Sequence, residues 1–284
     1  MTVDTTTAPV APASVRQSDP NLAVTFPRVL KSEWIKLRSV RSTVITLLAS
    51  AAVVVGIGVL AAAVQSGSIT PAGGAGGGRG QGFGTDPTGI SLAGVQLAQL
   101  IVAIVGVMYV TSEYSTGSIR STLAAVPRRW PVLLAKFVVL GATTFVVQLV
   151  AVFIAFFAGQ GILGSKGVTL ADTGVLPAVI GAAVFLTGTA VLGVALGFLL
   201  RSTASGIAVA VAAFFLLPGI LGLFSTSVQD NIRPYLPSSA GTSLTSVTHS
   251  AEYLNYWPAL ALLVGYVVVL GGFALVRMVR SDAN

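Results

Sequence analysis

The sequence lacks cysteine altogether and contains a single histidine, His249, among its 284 residues. Without cysteine the chain has no disulfide, no thiolate metal site and no cysteine nucleophile. His249 has no evident serine or aspartate partner for a catalytic triad. It lies three residues from Glu252, but two ligands are too few to hold a metal ion. These absences predict a chain with no catalytic site and no metal site.

Charge is also scarce. Charged residues make up 9% of the chain, 54% of its residues are hydrophobic, and the mean hydropathy is +0.88. An ordinary soluble domain is about 25% charged. So few charges cannot coat a soluble surface, which predicts an integral membrane protein. The net charge of +7 then indicates basic loops that face anionic lipid, and no nucleic-acid partner is expected.

Six apolar runs are each long enough to cross a hydrocarbon core of about 30 Å. We therefore expect an all-α integral membrane protein with six transmembrane helices. The predicted spans lie at about 42–64, 90–111, 132–158, 175–200, 206–224 and 257–276.

The segments between and beyond these spans have distinct compositions. The composition of residues 1–23 predicts a disordered cytoplasmic tail. Residues 281–284 are expected to form a short cytoplasmic tail. The glycine-rich residues 65–89 lack the Lys-Ser/Thr pair of a phosphate-binding loop, so we expect a flexible extracytoplasmic linker. Residues 225–256 are polar with scattered apolar positions, which predicts a loop containing a short re-entrant or surface helix.

The basic residues fix the expected orientation. On this topology thirteen lie at one face and three, Arg79, Lys166 and Arg233, at the other. Cytoplasmic loops carry an excess of lysine and arginine, so both termini are expected in the cytoplasm. The thirteen are Arg16, Arg28, Lys31, Lys36, Arg38, Arg41, Arg120, Arg128, Arg129, Lys136, Arg201, Arg277 and Arg280.

Residues 24–41 (VTFPRVLKSEWIKLRSVR) predict an amphipathic helix in the membrane interface. Phe26, Leu30, Trp34 and Leu37 recur at helical spacing, with Trp34 expected at headgroup level. The candidate interfacial residues are Lys31, Glu33, Trp34, Lys36, Arg38 and Arg41.

Residues 112–136 (SEYSTGSIRSTLAAVPRRWPVLLAK) concentrate charge between the second and third spans. A charged side chain costs about 2.5–3.5 kcal/mol in hydrocarbon, so we expect this segment to lie in water at one membrane face. Glu113, Gly117 and Arg120 are spaced to share one helical face, and Pro127 ends that helix. The segment either binds a partner outside the bilayer or merely snorkels at the interface.

Polar residues inside the spans are few. Those that either hydrogen-bond to neighbouring helices or line a translocation path are Gln96, Gln99, Gln148, Thr187 and Thr189. Gly193 and Gly197 predict close helix packing, and Pro218 predicts a kink in the fifth span. The charged residues fall outside the spans or near their ends, which disfavours proton- or ion-coupled transport.

The six spans, the basic helix LKSEWIKLRSVRST and the loop SEYSTGSIRSTLAAVPRRWPVLLAK resemble the permease subunits of type-2 ATP-binding-cassette (ABC) exporters, the actinobacterial ones most strongly. The segment PYLPSSAG, in the last outer loop, resembles these permeases more weakly. The resemblance implies that the loop after the second span is a coupling helix that docks on a cytoplasmic ATPase. Carried onto this sequence, that role falls on Glu113, Tyr114, Gly117, Ser118, Arg120, Arg128 and Arg129.

The resemblance also implies two ATPase subunits, a second permease copy or a paralogue, and membrane lipids as partners. ATP and Mg would bind the ATPase, with no cofactor in this chain. Two alternatives remain open: a non-transport scaffold or sensor subunit in which the same loop binds a signalling partner, and a secondary transporter or channel. A substrate would be a drug, a lipid or a hydrophobic peptide moved out of the cell.

Overall fold

The computed structural model describes residues 25–69, 86–126, 129–248 and 253–280. The predicted terminal tails, most of the glycine-rich linker, Arg128 and the His249–Glu252 pair lie outside these ranges. Within them the chain forms helices and turns and no strand. The α-helices are α1 (Phe26–Ser39), α2 (Arg41–Ser66), α3 (Pro87–Ser91), α4 (Val95–Ser115), α5 (Ser118–Ala125), α6 (Trp130–Leu163), α7 (Val175–Leu200), α8 (Thr203–Val211), α9 (Leu217–Leu221), α10 (Thr226–Ile232), α11 (Pro237–Thr245) and α12 (Tyr256–Arg280).

The prediction of six membrane spans in an all-α protein is confirmed. Six helical segments of the described chain are long and apolar enough to cross a bilayer. They are Arg41–Ser66, Val95–Ser115, Trp130–Lys166, Val175–Leu200, Thr203–Leu221 and Tyr256–Arg280.

Helices α4 and α7 form the centre of the bundle, because small residues let their backbones approach closely. A Cβ atom on Gly106 would lie 2.1 Å from the carbonyl oxygen of Ala190. On the other helix, a Cβ atom on Gly193 would lie 2.2 Å from the carbonyl oxygen of Ala103. The packing role expected for Gly193 is therefore confirmed, and van der Waals contact between backbones holds this helix pair together.

The second span begins later than predicted. The expected start at residue 90 falls in the short helix α3, and the chain turns through 92–94 before α4 begins at Val95. Gly94 allows this turn to lie against α2, since a Cβ atom there would be 2.5 Å from the carbonyl oxygen of Val54. Apolar composition alone does not reveal such a break.

The fifth span is irregular where a kink is predicted. Helix α8 is followed by one π-helical turn, Ala212–Leu216, and then by α9, whose second residue is Pro218. Proline has no N–H to donate to the carbonyl of Phe214, and its ring crowds that oxygen. A π-helical turn widens the backbone at this point and accommodates the proline.

The segment after the fifth span folds back onto the bundle. Helix α11 is largely buried and packs against α7 and α12. The backbone N–H of Val247 donates to Oδ2 of Asp86 over 3.1 Å and so ties α11 to the start of α3. The short helix expected in this loop therefore lies inside the fold.

The opposite end of the bundle gathers most of the basic residues of the described chain. There α4, α7 and α12 end, α6 and α8 begin, and α1 and α5 lie alongside them. Arg129 donates to the carbonyl oxygen of Met278 over 2.7 Å, and Thr203 donates to the hydroxyl of Thr111 over 2.8 Å. We call this the basic end, and it contains the candidate coupling site.

Candidate coupling site

Helix α1 packs on α6 through a buried stripe that contains a carboxylate. The buried residues of α1 are Val29, Glu33 and Leu37. Trp34 and Ile35 are exposed on the other side. The helix itself forms as the sequence predicts, but the expectation that Trp34 and Leu37 share its apolar face is wrong. Phe26 and Leu30 are the partly buried neighbours of this stripe.

The loop after the second span does not form one continuous helix. Helix α4 runs through Glu113 to Ser115, and α5 begins at Ser118. Between them Gly117 has a φ of 72°, a left-handed conformation that glycine adopts without strain. Glu113 and Arg120 therefore lie on different helices, and the prediction that they share one helical face is wrong. Helix α5 ends at Ala125, two residues before the predicted stop at Pro127.

Helix α6 carries a single charged residue, Lys136, on its second turn. The Lys136 side chain has no exposed surface. Its Nζ donates to Oε2 of Glu33 over 2.8 Å and to Oε1 of Glu113 over 2.7 Å. The same Nζ lies 4.5 Å from the ring centroid of Tyr109, within the range of a cation–π interaction.

These residues form one charge cluster, which we define as Glu33, Lys36, Tyr109, Glu113 and Lys136. Lys36 donates to Glu33 over 2.8 Å and to Glu113 over 3.2 Å, and the Tyr109 hydroxyl donates to Oε2 of Glu33 over 3.1 Å. Two carboxylates thus face two ammonium groups, so the cluster is neutral as a whole. It joins α1 to the second and third spans.

Contacts inside the cluster favour its charged forms. Burial by itself raises the pKa of Glu33, but the charge of Lys136 and the hydrogen bonds from Lys136 and Lys36 outweigh it, so this pKa lies below the ordinary 4.5. Burial lowers the pKa of Lys36, whereas the hydrogen bond to Glu33 and the charges of Glu33 and Glu113 raise it above the ordinary 10.5. The α1 members of the cluster are therefore ionised at neutral pH.

The expectation that residues 112–136 lie in water is wrong at both ends of that segment. The Glu113 side chain is 12% exposed and the Lys136 side chain is fully buried, because each faces an opposite charge inside the protein. Sequence reasoning named Glu33, Lys36 and Glu113 but assigned no role to Lys136. Its lone charge in an otherwise apolar helix is the signal that could have identified it.

Helix α5 is held by a polar contact with the charge cluster and by an apolar contact with the core. Lys36 Nζ donates to the hydroxyl of Thr122 over 3.2 Å. Ile119 is 2% exposed and belongs to the main core. The other side of α5 is open, with Ser118 and Arg120 exposed. The helix thus has one face fixed to the bundle and another that a partner could touch.

The remaining coupling candidates lie around this helix. Gly117 is exposed, and Arg129 is partly buried at its bond to the end of α12. Tyr114 packs edge-on against Phe198, and the Arg201 guanidinium lies 5.5 Å from the Tyr114 ring centroid. The basic interfacial candidates with exposed side chains on α1 and at the start of α2 are Lys31, Arg38 and Arg41.

The five polar span residues do not converge on one path. Gln96 and Gln99 lie together at the end of the bundle opposite the basic end, where Gln96 donates to the Thr242 hydroxyl over 3.2 Å. Both line a cavity of about 520 Å³ between α4, the fifth span and α11. They are the only two of the five brought together in the described structure.

Gln148, Thr187 and Thr189 lie elsewhere. Gln148 is buried and donates to the Ser50 hydroxyl over 2.6 Å, which links α6 to α2. Both threonine hydroxyls donate to carbonyl oxygens one turn earlier in α7. Thr187 also borders a shallow apolar groove of about 220 Å³ between α7 and α12. The Gln148 hydrogen bond joins two helices, whereas the two threonine hydrogen bonds stay within α7.

Residues 29–219 match the family model described as ABC-2 family transporter protein. The matched region begins in α1, contains the whole charge cluster and α5, and ends in α9. The chain belongs to the ABC-2 transporter family. No curated protein sequence matches it. Its membership and its six apolar helices make it a multipass membrane transport permease, and the type-2 ABC resemblance drawn from its sequence is confirmed.

Proposed function

We propose that this chain is the permease subunit of an ATP-driven ABC exporter, driven by a separate cytoplasmic ATPase that binds α5. The complex would contain two permease chains, identical or paired with a paralogue, and two ATPase subunits that hold ATP and Mg. It would move a hydrophobic or amphipathic substrate, a drug, lipid or peptide, out of the bacterial cell. The ABC-2 family match and the described spans support this proposal.

The strongest support for the proposal is that α5 has one face fixed to the bundle and another face open to a partner. It is a short helix between the second and third spans, exposed at Ser118 and Arg120 and fixed to the bundle at Ile119 and Thr122. A partner that pushes on the open face would displace Thr122, and with it Lys36 and the charge cluster. An exposed arginine also suits docking, because arginine is enriched at binding hot spots.

The charge cluster then transmits this displacement. Its bonds of 2.7–3.2 Å connect α1, α4 and α6 at the basic end. Buried ion pairs resist separation, since pulling one charge away leaves its partner uncompensated. The three helices would therefore tilt together when the ATPase subunits close on ATP, which is a rigid-body mechanism of alternating access.

The basic end would face the cytoplasm, where the ATPase is. Thirteen of the sixteen Lys and Arg residues fall on this side of the predicted topology. Excess basic charge marks the cytoplasmic face of membrane proteins.

The test is co-purification of the chain with the ABC ATPase encoded beside it, followed by substrate-stimulated ATP hydrolysis in liposomes. Arg120→Glu should weaken ATPase binding about tenfold or more, as expected for a hot-spot arginine. Thr122→Val keeps the shape of the side chain but removes the acceptor for Lys36, so it should leave ATPase binding intact and lower transport per ATP hydrolysed.

Lys166→Glu is the matched control, because Lys166 is an exposed basic residue at the opposite end. It should leave both measurements unchanged. A wild-type chain that transports without the ATPase, or an Arg120→Glu variant that binds and transports normally, would overturn the proposal. A chain that binds the ATPase without moving any substrate would instead favour the scaffold alternative.

A further inference from the structure

The cavity opposite the basic end has two chemically different walls. It measures about 520 Å³, within the range of about 300–1,000 Å³ that is typical of small-molecule sites. One wall is polar and carries Gln99, Arg233 and the Thr242 hydroxyl. The other is apolar and includes Phe214 and Phe215 from the π-helical turn of the fifth span.

Gln99 holds Gln96 in place in the polar wall. Gln99 is 3% exposed, and its Nε2 donates to the backbone oxygen of Gln96 over 2.8 Å and to Oε1 of Gln96 over 3.0 Å.

The same cavity presents a cation. Arg233 lies in the single turn between α10 and α11, where its guanidinium donates to Oε1 of Gln229. The hydroxyls of Ser238 and Ser239 line the cavity beside it. Among the described residues of the lining none is acidic. A planar guanidinium with nearby hydroxyl donors is well suited to a carboxylate or a phosphate.

The apolar wall continues onto the outside of the bundle. Phe215 is 61% exposed and Leu97 is also exposed, and both residues border the cavity. Both residues belong to helices that are long and apolar enough to span a membrane. A ligand headed by an acidic group can therefore place an apolar portion against these side chains.

We propose that this cavity binds the headgroup of an amphiphile that carries an acidic group. Arg233 and the serine hydroxyls receive the acidic group, and Phe214 and Phe215 contact the apolar portion. The binding site stands on the cavity alone. The claim that such an amphiphile is also the exported substrate rests on the proposed function.

The test measures binding to the purified full-length chain in uncharged detergent micelles, with three probes. Lysophosphatidylglycerol carries a phosphate, hydroxyls and one acyl chain, and should bind saturably. Lysophosphatidylcholine retains the phosphate and chain, but its trimethylammonium cancels the negative charge of the headgroup, so its affinity should be about tenfold lower. Glycerol phosphate has the headgroup without the chain and should not compete at equal concentration.

A variant and a control test the role of the guanidinium. Arg233→Gln should lower the affinity for lysophosphatidylglycerol about tenfold and remove its preference over lysophosphatidylcholine. Lys166→Gln, which removes an exposed positive charge at the same end, should have no effect. Equal affinity for the two lipids, or an Arg233→Gln variant that binds as the wild type does, would overturn the proposal. Competition by glycerol phosphate would show a soluble anion to be the ligand and would also overturn it.

This outcome is independent of the ATPase. If lysophosphatidylglycerol binds as described but no ATP-driven transport is found, the site stands and the proposed function fails. If ATP-driven transport is found and the Arg233→Gln variant supports it normally without selective binding, the function stands and this inference fails.

Discussion

The Nζ atom of Lys136 lies 2.8 Å from Oε2 of Glu33, and neither side chain has any exposed surface. The two residues are 103 positions apart in the chain. They meet because α1 lies along the first turns of α6. This ion pair anchors α1 to the third span, and it is the natural starting point for testing the charge cluster.

Replacing Lys136 by methionine should strongly destabilise the protein. The substitution preserves most of the side-chain volume but leaves Glu33 and Glu113 with Lys36 as their one remaining cation in the cluster. Removing one partner from a buried ion pair costs about 3–5 kcal/mol. Lys31→Met is the control, since Lys31 is exposed on α1 and surface substitutions change stability by about 0.5 kcal/mol or less. Denaturant titration of the purified variants in detergent micelles measures both. If Lys136→Met and Lys31→Met lose the same free energy of unfolding, the buried ion pairs of Lys136 do not stabilise the protein.

Acid should weaken the attachment of α1. The pKa of Glu33 is below 4.5 in the folded protein and near 4.5 when unfolded, so the unfolded chain binds its proton first as the pH falls. The stabilisation is complete above pH 4.5 and is lost as the pH falls through the lowered folded value.

The Glu33→Gln variant isolates this effect from the other carboxylates. Its deficit in unfolding free energy relative to the wild type should be constant above pH 4.5 and should shrink at lower pH. Asp230→Asn, at an exposed carboxylate in α10, provides the comparison. A Glu33→Gln deficit that is independent of pH down to pH 2 contradicts the assignment.

The close approach of α4 and α7 should make Gly106 intolerant of a methyl group. In Gly106→Ala the new Cβ would meet the Ala190 carbonyl oxygen at 2.1 Å, so the helices must move apart. Overpacking of this kind costs about 1–3 kcal/mol. Gly56→Ala, in α2, has nothing within 4 Å of the new Cβ, and its stability should be unchanged or slightly higher. Thermal unfolding of the two variants compares them directly, and a stable Gly106→Ala variant would refute the packing described here.

Gln148 should matter for folding and not for transport. Its hydrogen bond to Ser50 joins α6 to α2, and Gln148→Leu would lose about 0.6–2 kcal/mol if that bond behaves like others between membrane helices. Substrate preference should stay as in the wild type, because the residue faces another helix. Transport assays with several substrates provide the measurement. If the Gln148→Leu variant changes the substrate preference and a Gln99→Leu variant does not, the translocation path lies between α2 and α6.

Much of the fold can be predicted from the sequence because the bilayer imposes simple rules. A run of about twenty apolar residues must be helical, which is why the six spans were predicted to within a few residues at most ends. Proline and glycine add local rules, so the irregularity before Pro218 and the packing of Gly193 were also expected. The break at 92–94 was not, since it depends on how closely α2 approaches Gly94.

The candidate site was only partly predictable for a related reason. The sequence pointed to Glu33, Lys36 and Glu113, but Glu33 and Lys36 were assigned to the membrane interface and Glu113 to the water-facing loop. Lys136 was passed over because a lysine near the end of a span can equally well snorkel to water. Whether it does so depends on which helix lies beside it.

The amino-acid sequence by itself determined that this chain is a helical membrane protein of six spans with a basic segment after the second, because hydrophobic length and charge are properties of local sequence. Only the tertiary structure decided that two glutamates and two lysines from three helices neutralise one another beneath α5. It also decided that Gln99 and Arg233 share one cavity. Electrostatic pairing of buried groups depends on distances of a few ångströms between residues far apart in the chain, and those distances are set by helix packing.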